Sequence, residues 1–306
     1  MKQIIVVGSI SMDIVAGVPR NPEVGETITG SSFARFVGGK GANQAVAASL
    51  AGGRVAMIGR HGTDGFEGNL LTTMRSKGVD IDALTAAEGP SGVAIIYVMP
   101  DGQNSIVVVP GSNGRLGRED IQASASLIGG AGVVLTQLET PLESLEATLE
   151  VAAAAEVPVI LDPAPAQHLS AELLAKVTWL TPNETEAAFL AGEPIPQDDE
   201  IPRFAERILA LGAKNVLLKL GARGAYLAMG SGLRELVPAI AVRAVDSTAA
   251  GDALNGAFAA ALMRGDDPVA AARFGVAAAS LSVTRAGAIA SLATFAEIEE
   301  FRRSNR

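Results

Sequence analysis

The residues best suited to chemistry lie in Asp246-Ser-Thr-Ala-Ala-Gly-Asp252, which runs straight into the Ala-rich segment Ala253-Leu-Asn-Gly-Ala-Phe258. Ala249, Ala250 and Gly251 form a small-residue turn that opens a helix. The first N–H groups of such a helix lack partners, and with the helix dipole they make a seat for an anion. A carboxylate beside that seat is a poor ligand for the anion. It is well placed to take the proton of a hydroxyl that attacks the anion. Asp is also a good helix cap, and this stretch alone does not separate the two readings.

A second small-residue turn is Gly38-Gly-Lys-Gly-Ala-Asn-Gln44, followed by a helical run over 45–50. Three glycines around a lysine at a helix start point to close backbone approach to a ligand, or to a plain tight turn. The spacing fits neither the phosphate loop Gly-x4-Gly-Lys-Ser/Thr nor the fingerprint Gly-x-Gly-x-x-Gly. Upstream, Ile4-Ile-Val-Val7 suits a strand buried on both faces. Alternation then puts Ser9, Ser11 and Asp13 on one face and Ile10, Met12 and Ile14 on the other, the pattern of a strand that lines a cleft. Glu139, Asp162, Asn183, Glu186 and Gly221 each follow a later strand, where ligands gather in an open α/β sheet. His61 and His168 are the only histidines, and neither has a partner at metal or triad spacing.

These residues need a platform. At 306 residues with 48% hydrophobic and 19% charged content, the chain can bury one large core or two modest ones, and disorder is not expected. The net charge of −9 provides no basic field, so neither nucleic acid nor an anionic membrane is an expected partner. An anionic substrate must then be held by backbone donors and a few local cations. Without cysteine there is no disulfide or thiolate metal site. No signal peptide is read at the N-terminus, and a cytoplasmic location is expected.

From 111 onward, helices and strands alternate with short loops. Helices are expected at 119–128, 142–155, 170–176, 184–191 and 202–211, and strands at 133–138, 157–161, 178–181 and 215–220. Such alternation predicts an α/β fold with a doubly wound, mostly parallel sheet flanked by helices. Short antiparallel additions at 226–229, 233–237 and 241–245 precede helices at 250–264, 267–284 and 293–303. Two other stretches break the rhythm: strands at 10–14, 26–29 and 32–37, and a hairpin at 92–109 turning at Pro100-Asp-Gly102. They are assigned to a small separate sheet. The expected division is a main domain of 1–9, 38–90 and 111–306 and a β-sheet lid of 10–37 and 91–110.

Several motifs occur together in a familiar order: Gly38-Gly-Lys-Gly-Ala-Asn-Gln44, Gln137-Leu-Glu139, Asp162-Pro-Ala-Pro-Ala166, Thr181-Pro-Asn-Glu-Thr-Glu186, Leu220-Gly-Ala-Arg-Gly224 and Asp246-Ser-Thr-Ala-Ala-Gly-Asp252. By them the chain resembles the ribokinase-like, phosphofructokinase-B type family of sugar kinases over nearly its whole length. The resemblance implies transfer of the ATP γ-phosphoryl to a sugar hydroxyl, with ribose the leading acceptor. Asp252 would be the base and the N–H groups around Ala249, Ala250 and Gly251 the anion hole. A helix-start Asp is expected to be ionised at neutral pH. The sugar would meet Ser11, Met12, Asp13, Gly39, Lys40, Gly41, Ala42, Asn43 and Glu139. Asn183 and Glu186 would help place Mg2+ and phosphate. Lys219, Leu220, Gly221, Ala222, Arg223 and Gly224 would line the nucleotide, with Gly251 and Val276. A potassium ion would sit near Asp246, Thr248, Ser282, Arg285, Gly287 and Ser291, held largely by carbonyls. The lid would also form a homodimer contact.

Two positions depart from the resemblance. Ser11 stands where ribokinases commonly carry Asn, and Lys219 where they commonly carry Thr. Ser11 leaves another pentose, deoxyribose or a nucleoside open as acceptor. Lys219 is read either as a phosphate ligand or as a solvated strand end. A non-catalytic sugar or nucleotide sensor on the same fold is the alternative of another class. Such a chain is expected to have lost the base or the anion hole, and both are present.

Overall fold

The computed structural model describes residues 2–195 and 197–305. Met1, Pro196 and Arg306, which fall within the expected main domain, lie outside the described residues. The strands are β1 Ile4–Val7, β2 Ser11–Gly17, β3 Ser32–Gly38, β4 Val55–His61, β5 Val79–Asp80, β6 Leu84–Ala86, β7 Gly92–Val98, β8 Asn104–Val109, β9 Val133–Thr136, β10 Val159–Leu161, β11 Trp179–Leu180, β12 Asn215–Lys219, β13 Ala225–Met229 and β14 Arg234–Val237. The helices are α1 Lys40–Leu50, α2 Glu67–Ser76, α3 Arg118–Ala123, α4 Ala125–Gly129, α5 Leu142–Ala154, α6 Ala171–Leu174, α7 Glu184–Ala191, α8 Ile201–Leu209, α9 Ala250–Arg264, α10 Pro268–Ser282 and α11 Phe295–Ser304.

The large sheet runs β14-β13-β12-β11-β10-β9-β1-β4-β5, with β6 paired to β4. It is parallel except where β13 joins β12 and β14. This is the expected α/β fold. Alternation along β1 explains its two-sided core. Ile4 and Val6 face α1, α9 and α10, while Ile5 and Val7 face the side of α5 and α8. β1 is flanked by β4 on one side and β9 on the other, so the strand order reverses there and a cleft is expected at the C-terminal end of β1. Gly8 and Ser9 emerge there.

α1 and α9 cross at that end with little between them. A Cβ at Gly256 would lie 2.5 Å from Ala47 Cβ and 2.7 Å from the Gln44 carbonyl, so only glycine permits the approach. Beneath α9, Phe258 meets Trp179 edge-on at 5.1 Å. Such a pair contributes about 1 kcal/mol beyond its buried area and fixes the seat of α9.

The second sheet, β3-β2-β7-β8, stands apart. Two expected strands are absent. Residues 26–29 are irregular because Glu26 turns back to Arg20 and to the Glu23 N–H. Residues 241–245 are also irregular, and Ala241, Val242 and Ala244 line a cleft instead of pairing. The expected helix 119–128 is two helices, α3 and α4, broken at Ser124. The Gly-rich motif is itself the first turn of α1, which starts at Lys40 and not at 45.

Candidate active site

The turn before α9 holds, among the described residues of the site, the one non-glycine residue with positive φ, Ala249, at φ 59° and ψ 13°. A non-glycine residue there is strained, and the strain aims the next peptides into the cleft. The Ala250 N–H turns to the Ser247 carbonyl at 3.2 Å. Among the described residues, the N–H groups of Gly251 and Asp252 have no backbone partner. They are free to bind an anion.

Asp252 is 4% exposed and held on both oxygens. Asn43 Nδ2 donates to Oδ2 at 3.0 Å and Gln44 Nε2 to Oδ1 at 3.0 Å. Burial pushes its pKa up to about 6, against the lowering influence of the Lys40 ammonium and the two amides. With a pKa of about 6 the group is mostly ionised at neutral pH, the state expected from the sequence. Burial also pulls the Lys40 ammonium down. The surrounding carboxylates, Asp252 foremost, more than offset this and hold it above its usual range.

The side expected to meet the sugar is built around β1, β2 and α1. Glu139 Oε2 accepts from Ser9 Oγ at 2.5 Å and from the Lys40 N–H at 2.9 Å, which ties the end of β9 to the start of α1. Ser11 Oγ donates to Asp13 Oδ1 at 2.9 Å. The Asp13 carboxylate folds over Gly38, where any Cβ would overlap it. Burial, opposed by Ser11 and reinforced by Glu139, raises the Asp13 pKa to about 6. Met12 is buried on the opposite face of β2, in the core.

Two cavities meet at the start of α9. A polar chamber of about 270 Å³ is lined by Lys40, Asp162, Asn183, Glu186, Lys219 and the turn 249–252. An apolar cleft of about 430 Å³ continues from it past Gly221, Ala222 and Gly224 to Val276. Asn183 and Glu186 form a reciprocal cap of α7: Asn183 Oδ1 accepts from the Glu186 N–H at 2.8 Å, and Glu186 Oε2 from the Asn183 N–H at 2.7 Å. Burial raises the Glu186 pKa, with Lys219 opposing.

Residues 1–294 match the pfkB family of carbohydrate kinases. The chain belongs to that family. This carbohydrate kinase is 38% identical to the ribokinase of Haemophilus influenzae over 301 residues, 98% of each chain. It is 34% identical to the deoxyribokinase of Salmonella typhi, over 97% of this chain and 98% of that one. The structure of Arabidopsis thaliana ribokinase complexed with ribose and ATP superposes with a TM-score of 0.90 at 33% identity, covering 98% of each chain.

In the kinase, the expected residues that line the two cavities are Lys40, Asn183, Glu186, Lys219, Gly221, Ala222, Gly224, Asp252 with its turn 249–251, and Val276. Asn43 touches Asp252 and Glu139 accepts from the Lys40 N–H, whereas Ser11, Met12, Asp13, Leu220 and Arg223 are not part of that lining. The expected potassium residues lie just outside. Asp246 accepts from the Thr248 N–H at 2.9 Å and the Gly287 N–H at 2.8 Å, and these bonds hold its pKa low against burial. The Ser282 and Ser291 hydroxyls donate to the carbonyls of Ala279 and Ala288, and Arg285 turns to Glu297. The polar side-chain atoms of those three residues are thus each engaged with a protein partner. Arg223 pairs with Glu184 at the cleft mouth. Gln44, Gln137 and Ser9 are site residues to which the sequence assigned no role. Their only signal was position within the two motifs and on the polar face of the first strand.

Proposed function

We propose that this kinase transfers the γ-phosphoryl of ATP to ribose. The observation that carries the reading is Asp252, clamped by Asn43 and Gln44 beside the free N–H groups of Gly251 and Asp252, at the junction of a polar and an apolar cavity. The adenine moiety fills the apolar cleft and the phosphates enter the chamber. Asp13, Glu139 and Asn43 accept from and donate to the sugar hydroxyls. Asp252 takes the proton of the attacking hydroxyl as its oxygen bonds to phosphorus. The two free N–H groups meet charge on the transferring group. Ser11 acts on the sugar through Asp13, which it orients.

Asp162, Glu186 and Asp252 form an acceptor-rich wall suited to the water shell of a hard cation. Magnesium brought with the nucleotide supplies charge neutralisation between phosphates. Asp246, which ties its own loop to that of Gly287, keeps a lone pair on each oxygen and fits a potassium ion together with nearby carbonyls. The small sheet is the lid, and it pairs with that of a second copy. Phe33, Ile106, Val107 and Val108 are each more than half exposed, too large an apolar area to leave in water. A cytoplasmic setting belongs to the same proposal.

The test is a coupled ADP-release assay with ribose, deoxyribose, other pentoses and nucleosides, with Mg2+ and K+ present. Ribose should give the highest kcat/KM. A clear preference for deoxyribose, with Ser11 too short to reach a second hydroxyl, would overturn the ribose assignment and leave the kinase assignment standing.

A further inference from the structure

Lys219 ends β12, and its side chain is 11% exposed. Nζ lies 2.7 Å from Asp162 Oδ1 and 3.9 Å from Glu186 Oε2. A Cβ on Gly251 would lie 3.3 Å from Nζ and 3.8 Å from Cδ, so the lysine arches over the first turn of α9. It lines both cavities and stands where they join. It is neither a solvated strand end nor a simple counter-ion packed into the core.

An ammonium has three N–H donors, and Asp162 Oδ1 takes one. Asp162 is itself fixed. Its Oδ2 accepts from Gln44 Nε2 at 2.9 Å, and the same Nε2 donates to Asp252 Oδ1 at 3.0 Å. Gln44 Oε1 accepts from Gln137 Nε2 at 2.8 Å, which sets the direction of the Gln44 amide. A continuous chain, Lys219–Asp162–Gln44–Asp252, therefore joins the mouth of the nucleotide cleft to the base.

We propose that Lys219 binds an oxygen of the transferring phosphoryl group, and that Asp162 and Gln44 are positioning residues that hold this cation in fixed register with Asp252. The inference rests on the kinase reading and deepens it. As the sugar oxygen bonds to the γ-phosphorus, the bond to the β–γ bridging oxygen breaks and ADP leaves with its electron pair. The hydroxyl proton goes to Asp252. Charge on the equatorial oxygens is met by the N–H groups of Gly251 and Asp252 from one side and by Lys219 Nζ from the other, and Lys219 takes no part in the proton transfer.

Calorimetry with ATP, ADP and adenosine, beside turnover, separates this from a structural ion pair. Lys219→Met should lose roughly 10-fold or more in ATP affinity and about 100-fold in kcat, with adenosine and sugar affinities unchanged. Lys219→Arg should restore part of the ATP affinity. Asp162→Asn should keep ATP affinity within a few-fold, lower kcat by about 10-fold and move the acid limb of the kcat/KM profile, since it acts through Lys219 and Gln44. Equal losses for adenosine and ATP, or unchanged ATP affinity and kcat in Lys219→Met, would overturn the proposal. If Lys219→Met does not fold, Lys219→Gln carries the same comparison. Wild-type protein inactive on every sugar would sink the kinase reading, while the ATP-against-adenosine comparison would still report on Lys219.

Discussion

The two sheets of this molecule solve opposite problems. In the large sheet, β1, β9 and β10 are buried along their whole length, with a helix layer on each face. In the small sheet, β8 has five of its six residues exposed, and β2 passes from buried at Ser11 to half-buried at Gly17. The first is a rigid bench for Asp252, Glu139 and Lys219. The second carries Asp13, oriented by Ser11, on β2, which pairs along its whole length with β3 on one side and β7 on the other. On the proposed lid reading the two divide the work: fixed geometry where bonds change, and a cover that lets the sugar in and shuts water out.

The sharpest way to break this comparison is at the bench. Asp252→Asn should lower kcat by about 10³-fold while calorimetric sugar affinity stays within a few-fold, because general-base loss acts only in the transition state. Near-normal turnover would remove Asp252 from the base role.

A medium effect joins the two regions. Asp252 and Asp13 both have pKa values pushed up to about 6. Each is needed as the anion, so kcat/KM should fall as pH drops through that value and hold steady above it. The acid limb should be steeper than about tenfold per pH unit, and Asp13→Asn should return it to about tenfold. A flat profile between pH 7 and 5 would contradict both assignments.

The smallest expected effect lies on the lid. Val107 and Val108 point to opposite faces of β8, and Val108 shares the face of Asp13 through the register Asp13↔Ala94↔Val108. Of Val107→Asp and Val108→Asp, one should turn a dimer into a monomer by light scattering and raise the sugar KM several-fold. If both leave the mass unchanged, or the wild type is monomeric, the lid is a cover without a partner.

Much of the bench was legible in the chain. The start of α9 shows as a change from small residues to an Ala-rich run, and α9 occupies 250–264 as expected. β1 shows as an unbroken branched run. Such features are local, and local patterns reach only one turn or one strand. The clamp on Asp252 is not local: Gln44 reaches across 208 positions to Asp252, 118 to Asp162 and 93 to Gln137. No periodicity marks such amides. Asp162 showed as one more polar strand end and as the head of the motif Asp162-Pro-Ala-Pro-Ala166, with no role attached. Residues 241–245 have the alternation of a strand, but their backbone serves as a cleft wall, and pattern cannot distinguish the two. Lys219 showed two readings because a charged strand end looks the same whether it meets water or a buried carboxylate.

The burial of Lys40 and Lys219 among Asp162, Glu186 and Asp252 has a kinetic side. A nucleotide approaching a chain of net charge −9 meets repulsion at long range and finds attraction only on contact. Encounter is therefore slowest for the free tetra-anion and faster for its magnesium complex, whose charge is halved. The net charge of the chain, and not the two recessed lysines, thus favours the donor that arrives with its metal already on board.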